Sequence, residues 1–138
     1  MKHRFFLIFV LLLICSGLSS QAPRGFTYQA VARNISGDII PNQDVSFRIS
    51  LLQGNIDGVS VYKEEHFVTT NAFGLVILTI GQGLNPQGNF SLINWGAGPY
   101  FLMVEFDANG KNDFSLMGTN ELLSVPYALY AETSGSVS

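Results

Sequence analysis

The sequence predicts an all-β fold, a single antiparallel β-sandwich of about seven strands. Three observations predict it. Apolar and polar side chains alternate with a period of two along most of the chain, the signature of half-buried strands. Clusters of Gly, Asn, Asp and Pro interrupt these runs at intervals of roughly 8–12 residues, as sandwich turns do. The 3.6-residue periodicity of amphipathic helices is nearly absent.

Before the strands comes a segment of another kind. In "MKHRFFLIFVLLLICSGLSS", Lys2, His3 and Arg4 precede an unbroken apolar run of eleven residues, Phe5 to Cys15, and small residues follow. About 20 helical residues are needed to cross a hydrocarbon core, so the run predicts a secretory signal peptide over 1–20 rather than a membrane span. Gly17 and Ser19 suit cleavage before Ser20. Cutting before Gln21 puts Leu18 at −3, and a later cut would leave Pro23 beside the scissile bond. The only cysteine is Cys15. Ile14 before it is not the small residue that lipoprotein processing wants, so Cys15 is expected to be apolar filler and not an acylation site. Cleavage near Gln21 leaves no cysteine, which removes disulfides and thiol catalysis from the expected chemistry.

From Gln21 onward the chain has five basic against ten acidic residues, a net charge of about −5. No basic cluster is present, which argues against a nucleic-acid partner. A domain of this size buries roughly 65% of its unfolded surface, enough for a core without staples.

Strand by strand, "FTYQAVAR" (Phe26 to Arg33) reads as the first. Val45, Phe47, Ile49 and Leu51 alternate with Ser46, Arg48 and Ser50. "VSVYKEEHFVTT" (Val59 to Thr70) is extended with an ambiguous register, which a bulge would resolve. "GLVILTIG" puts Val76, Leu78 and Ile80 on one face; Leu75, Ile77 and Thr79 on the other are expected to be covered or paired. "YFLMVEF" points Leu102, Val104 and Phe106 inward and Met103 and Glu105 outward. "DFSLMG" and "LLSV" supply one or two more. Asn109-Gly110 predicts a tight hairpin with both central residues at φ > 0. "SLINWG" suits one helical turn. Pro126 to Glu132 suits a short helix or turn, with Pro at the first position and Ala128, Leu129 and Ala131 as helix formers. The domain boundaries expected are 21–132 for the sandwich and 133–138, "TSGSVS", for a linker-like tail.

Candidate chemistry is sparse. His66 and Glu64 share a strand face, but no third metal ligand is evident, and a solvated polar face is the expectation. "DANGKND" (Asp107 to Asp113) gathers calcium-type oxygens, yet its Gly is fourth and Gly118 stands where an EF-hand loop needs Glu, so a turn is expected. No G-x-S-x-G elbow exists, and a Ser-His-Asp set would rest on His66 alone. Glu64 and Glu65 face opposite ways and cannot form a glycosidase pair. "GQG" (Gly81 to Gly83) is followed by no helix that would make a phosphate cradle. The sequons at Asn34 and Asn89 fall in loops and are not read as glycosylated. No cofactor or metal is expected. Phe90, Trp95, Tyr100, Tyr127 and Tyr130 lie outside the clearest core positions. Trp95 is expected to pack over one end of the sandwich, with a sugar-stacking role for Trp95 and Tyr100 as the alternative.

Four segments, "QAPRGFTYQAVARNISGDIIPNQDVSFRISLLQG", "TTNAFGLVILTIGQG", "INWGAGPYFLMVEFD" and "LMGTNELLSVPYALYAE", together resemble the N-terminal β-sandwich domain of secreted and surface proteins of Bacteroidota. That domain commonly precedes collagen-like, coiled-coil or tail-fibre-like repeats. "PNQDVSFRISLLQG" with "TTNAFGLVIL" is also similar to transthyretin-like and carboxypeptidase-regulatory-like sandwiches. The resemblance carries over no catalytic residue. It implies a structural or adhesive exported module, the base of a surface fibre, with fibre repeats or surface glycans as partners. The usual repeats do not follow Ser138, which implies a truncated or stand-alone copy, monomeric as an isolated domain. Pro126, Tyr127, Leu129 and Tyr130 are then expected to dock back on the sandwich and lead into a connector.

Overall fold

The two-residue alternation becomes a burial pattern. The computed structural model describes residues 24–123. In strand β2 (Asp44–Gln53), Val45, Phe47, Ile49 and Leu51 are each at most 3% exposed and face the core. The other strands are β1 (Phe26–Val31), β3 (Val59–Thr69), β4 (Leu75–Ile80), β5 (Leu84–Gln87), β6 (Tyr100–Asp107) and β7 (Ser115–Glu121). They form two antiparallel sheets, one of five strands ordered β5-β3-β2-β6-β7 and one of two, β1-β4. Their inner faces share a hydrophobic core that includes Phe47, Ile49, Val76, Leu78, Leu102 and Val104. The expected sandwich of seven strands is therefore present.

The small sheet is asymmetric. The inward residues of β4, Val76, Leu78 and Ile80, are 0–3% exposed. Those of β1, Phe26, Tyr28 and Ala30, are only half-buried. Among the described residues β1 pairs with β4 on one edge and with no strand on the other. The outer face of β4 is open, with Ile77 exposed rather than covered.

Local chemistry explains several departures from the sequence reading. "GQGLNPQG" reads as a turn, but Leu84–Gln87 forms a short edge strand on β3; Pro86 is compatible with that place because an edge residue has no ladder bond to donate outward. Asn109-Gly110 is not a tight two-residue hairpin. The return from β6 to β7 is a wider loop in which Gly110 and Asn112 have positive φ and Asn109 does not. The Asp107 carboxylate organises it, accepting from the N–H groups of Asn109, Lys111 and Asp113. "SLINWG" holds two single 3-10 turns, Phe90–Leu92 and Trp95–Ala97, each capped by the side-chain oxygen of the preceding Asn89 or Asn94. The last strand among the described residues is Ser115–Glu121, after which the Leu122 N–H donates to the Tyr100 carbonyl.

On the outer face of the large sheet, Arg48 makes a bidentate pair with Glu105 at 2.6 and 2.8 Å and stacks over Phe114 at 4.5 Å. The pair is partly solvated, so its contribution is at most about 1 kcal/mol. Among the described residues no helix is long and apolar enough to cross a membrane. The signal-peptide reading of 1–20, including Cys15, and the docking reading of Pro126, Tyr127, Leu129 and Tyr130 fall outside the described residues.

Candidate functional site

The polar cluster with the richest chemistry lies on β3. The sequence leaves the register of this strand open because both parities carry apolar residues. Val61 and Phe67 lie on one, Tyr62 and Val68 on the other. A β-bulge resolves it: the pairing with β2 shifts between Leu51 and Leu52, skipping Val61. Beyond the bulge Tyr62 pairs with Leu51, Glu64 with Ile49 and His66 with Phe47, so all three side chains point to the core side. The expected solvated face for Glu64 and His66 is thus corrected. Glu64 is fully buried and the His66 side chain is only 10% exposed.

A buried carboxylate needs donors, because desolvation of an unpaired charge costs several kcal/mol. Glu64 has four. The Tyr62 hydroxyl donates to Oε2 at 2.6 Å and His66 Nε2 donates to Oε1 at 2.7 Å. A carboxylate only accepts, so Nε2 carries the proton in this contact. The Gly81 N–H is shared between both oxygens at 2.9 and 3.1 Å, and the Gly83 N–H reaches Oε2 at 2.9 Å. Four donors occupy the roughly four lone-pair sites of a carboxylate. Burial by itself pushes the Glu64 carboxyl up. The bonds from His66, Tyr62, Gly81 and Gly83 outweigh it and hold the group below its ordinary value. Tyr62 moves up, first through burial and then through its bond to the Glu64 charge.

Both glycines belong to the connection between β4 and β5. Glu64 therefore clips that connection onto the middle of β3, across the two sheets. The absence of a side chain at 83 is required by this approach: a Cβ there would lie 2.8 Å from Glu64 Cγ and Cδ. Gly83→Ala is expected to lower stability by about 1–3 kcal/mol through this overlap, measurable in urea melts as a lower midpoint at unchanged slope.

The network also dictates a pH response. Because the folded Glu64 carboxyl sits below its ordinary value, its stabilisation is complete above the unfolded carboxylate pKa of about 4.3 and is lost as pH falls through the lower folded value. Thermal melts between pH 6 and pH 3 should show Tm falling on the acid side. Glu64→Gln should start lower at pH 6 and lose less over the same interval. Parallel profiles for the two proteins would refute this assignment.

Chemically, the cluster is closed. A general acid or base must come within hydrogen-bond reach of a substrate atom, and the oxygens of Glu64 face Tyr62, His66 and the glycine amides. A surface depression of about 290 Å³ beside it is lined by Tyr62 and Gly81 of the cluster together with Arg24, Pro86 and Phe90, and not by Glu64. Among the described residues no group of three His, Cys, Asp or Glu side chains gathers at one place. The "DANGKND" loop uses its leading carboxylate internally. Asp107 is held below its ordinary value by the Asn109 N–H above all, with burial opposing and further N–H donors adding to the effect.

Trp95, expected to pack over one end of the sandwich, and Tyr100, expected outside the clearest core positions, both belong to the core at 5% and 4% exposure. Other rings pack around the Trp95 indole. Phe90 and Tyr100 sit 5.6 and 5.3 Å from Trp95, and Phe26 meets it edge-on at 6.2 Å. The Tyr100 hydroxyl donates to the Asn94 carbonyl at 2.6 Å. Phe90 and Tyr62 complete this aromatic end, 5.3 Å apart, so it adjoins the Glu64 cluster. Sequence reasoning leaves the inward orientation of Glu64 unread. The signal available for it was the shared parity of Tyr62, Glu64, His66 and Val68, with apolar residues at both ends.

Residues 27–122 match the model of a protein family described as a domain of unknown function, DUF8740. Neither a curated protein nor a solved structure matches the chain.

Proposed function

Since the chain belongs to the DUF8740 family, whose description assigns no activity, we propose from its own residues that it is a non-enzymatic, exported structural or adhesive module. The single observation that carries this reading is the commitment of its most reactive cluster to architecture: Glu64 uses its acceptor sites to tie β3 to the β4–β5 connection. Function resides in sites rather than in folds, and here the candidate site is a bracket. The basic start, apolar run and small residues of 1–20 support export. The likeness of "GFTYQAVAR" and "LLSVPYALYA" to the base domain of surface fibres supports a structural role at the cell exterior.

Two measurements test it. An epitope placed after Ser138 should be removed from intact cells by added protease; a tag that is lost only after lysis would overturn the exterior location. Shearing cells and sedimenting the released material should bring the chain down with surface filaments. Recovery solely as a free monomer in the medium would overturn the fibre role.

A further inference from the structure

Two surface depressions meet at Asn89, on the end of the sandwich that carries the two 3-10 turns. One, of about 290 Å³, has Arg24, Pro86 and Ser91 on its walls. The other, of about 280 Å³, has Gln53, Leu92 and Asn94. Asn89 lines both. The turn caps decide which polar atoms face this groove. Asn89 Oδ1 accepts from the N–H and the hydroxyl of Ser91, and Asn94 Oδ1 accepts from the Gly96 N–H. Each of these amides keeps its Nδ2 donors for another partner. Gln53 does the reverse: its Nε2 donates to the Ala97 carbonyl, which leaves Oε1 as an acceptor. Ser91 Oγ has given its proton to Asn89 and has only lone pairs left.

We propose that this groove binds an acidic glycan, with a uronate carboxylate on Arg24 and neighbouring hydroxyls on Asn89, Asn94 and Gln53. The inference rests on the adhesive form of the proposed function and names its ligand class. Hydroxyls both give and accept protons, so a sugar can use the Nδ2 donors and the Ser91 and Gln53 acceptors together. The exposed Leu92 and Pro86 side chains offer apolar surface to the C–H faces of a ring, the mixture of apolar wall and placed polar groups that small-ligand sites use. Among the described residues Arg24 is the one charged side chain on either wall. A guanidinium takes a carboxylate in a bidentate, charge-assisted pair, and a single cation suits one carboxylate better than a densely charged polyanion. Recognition of this kind works through amides and one guanidinium, with no need of ring stacking.

The test titrates the full chain with oligogalacturonate, and with the same oligosaccharide after its carboxyls have been reduced to alcohols. The reduced form should bind about tenfold more weakly, the loss expected for one hydrogen-bonded charge. Arg24→Gln should bring the two affinities together. Asn89→Asp keeps a cap oxygen for Ser91 but exchanges the Nδ2 donors for a negative charge; it should weaken binding of the acid at least as much, at an unchanged melting midpoint. In NMR spectra the side-chain amide signals of Asn89 and Asn94 should shift during the titration. Those of Asn34 and Asn71, at the opposite end of the sandwich beyond the Val31–Leu75 pair, should stay in place. Equal affinity of the wild type for the acid and its reduced form would overturn the inference, as would binding untouched by either substitution. Absence of binding to both sugars would overturn it too, while the exterior location is decided separately by the protease experiment.

Discussion

Replacing Glu64 by alanine will lower the stability of the domain by about 3–5 kcal/mol, the range for breaking a buried charge network by removing one partner. The change strands the Tyr62 hydroxyl, His66 Nε2 and the Gly81 and Gly83 amides, which all donate to this one side chain. Each unsatisfied buried donor costs about 1–3 kcal/mol, although water entering the vacated space satisfies some of them. Glu64→Gln keeps the shape and one acceptor, so a smaller loss is expected. Urea melts of the two variants decide the matter. Equal stability of wild type and Glu64→Ala would mean that the connection is held elsewhere. Hydrogen exchange gives a second readout, because Gly81 and Gly83 amides should lose protection before those of β2.

Trp95→Ala is expected to cost about 3–5 kcal/mol through the cavity it opens. Its indole contacts rings from three separate places, Phe26 on β1, Phe90 in the first 3-10 turn and Tyr100 at the start of β6. Removing it loosens the end of the sandwich where those segments meet. Trp95→Phe preserves part of the ring packing and should lose substantially less. A Trp95→Ala protein with wild-type stability and lost affinity for glycans would reverse the assignment of this residue to the core.

Much of the fold was legible because alternation and burial coincide where one face is wholly apolar. On β6, Leu102, Val104 and Phe106 leave no choice of register; on β2, Val45, Phe47, Ile49 and Leu51 face the core as their parity predicts, although Ser46 and Ser50 on the other parity are buried as well. Legibility failed where the deciding interaction was distant in sequence. Glu64 points inward because glycine amides seventeen and nineteen residues later come to meet it, and no local pattern announces that meeting. Asp107 converts an apparent tight hairpin into a broader loop by drawing in amides from the following six residues. Trp95 and Phe90 looked peripheral because they sit in turns. Their burial comes from the ring cluster that β1 and β6 complete.

Proline at position 86 has a consequence for how copies of the domain meet. Strands exposed at a sheet border are templates on which neighbouring chains can extend a continuous ribbon. On the β5 flank that template is only four residues long and interrupted by an imino acid. Lateral polymerisation of the domain through that side is therefore disfavoured.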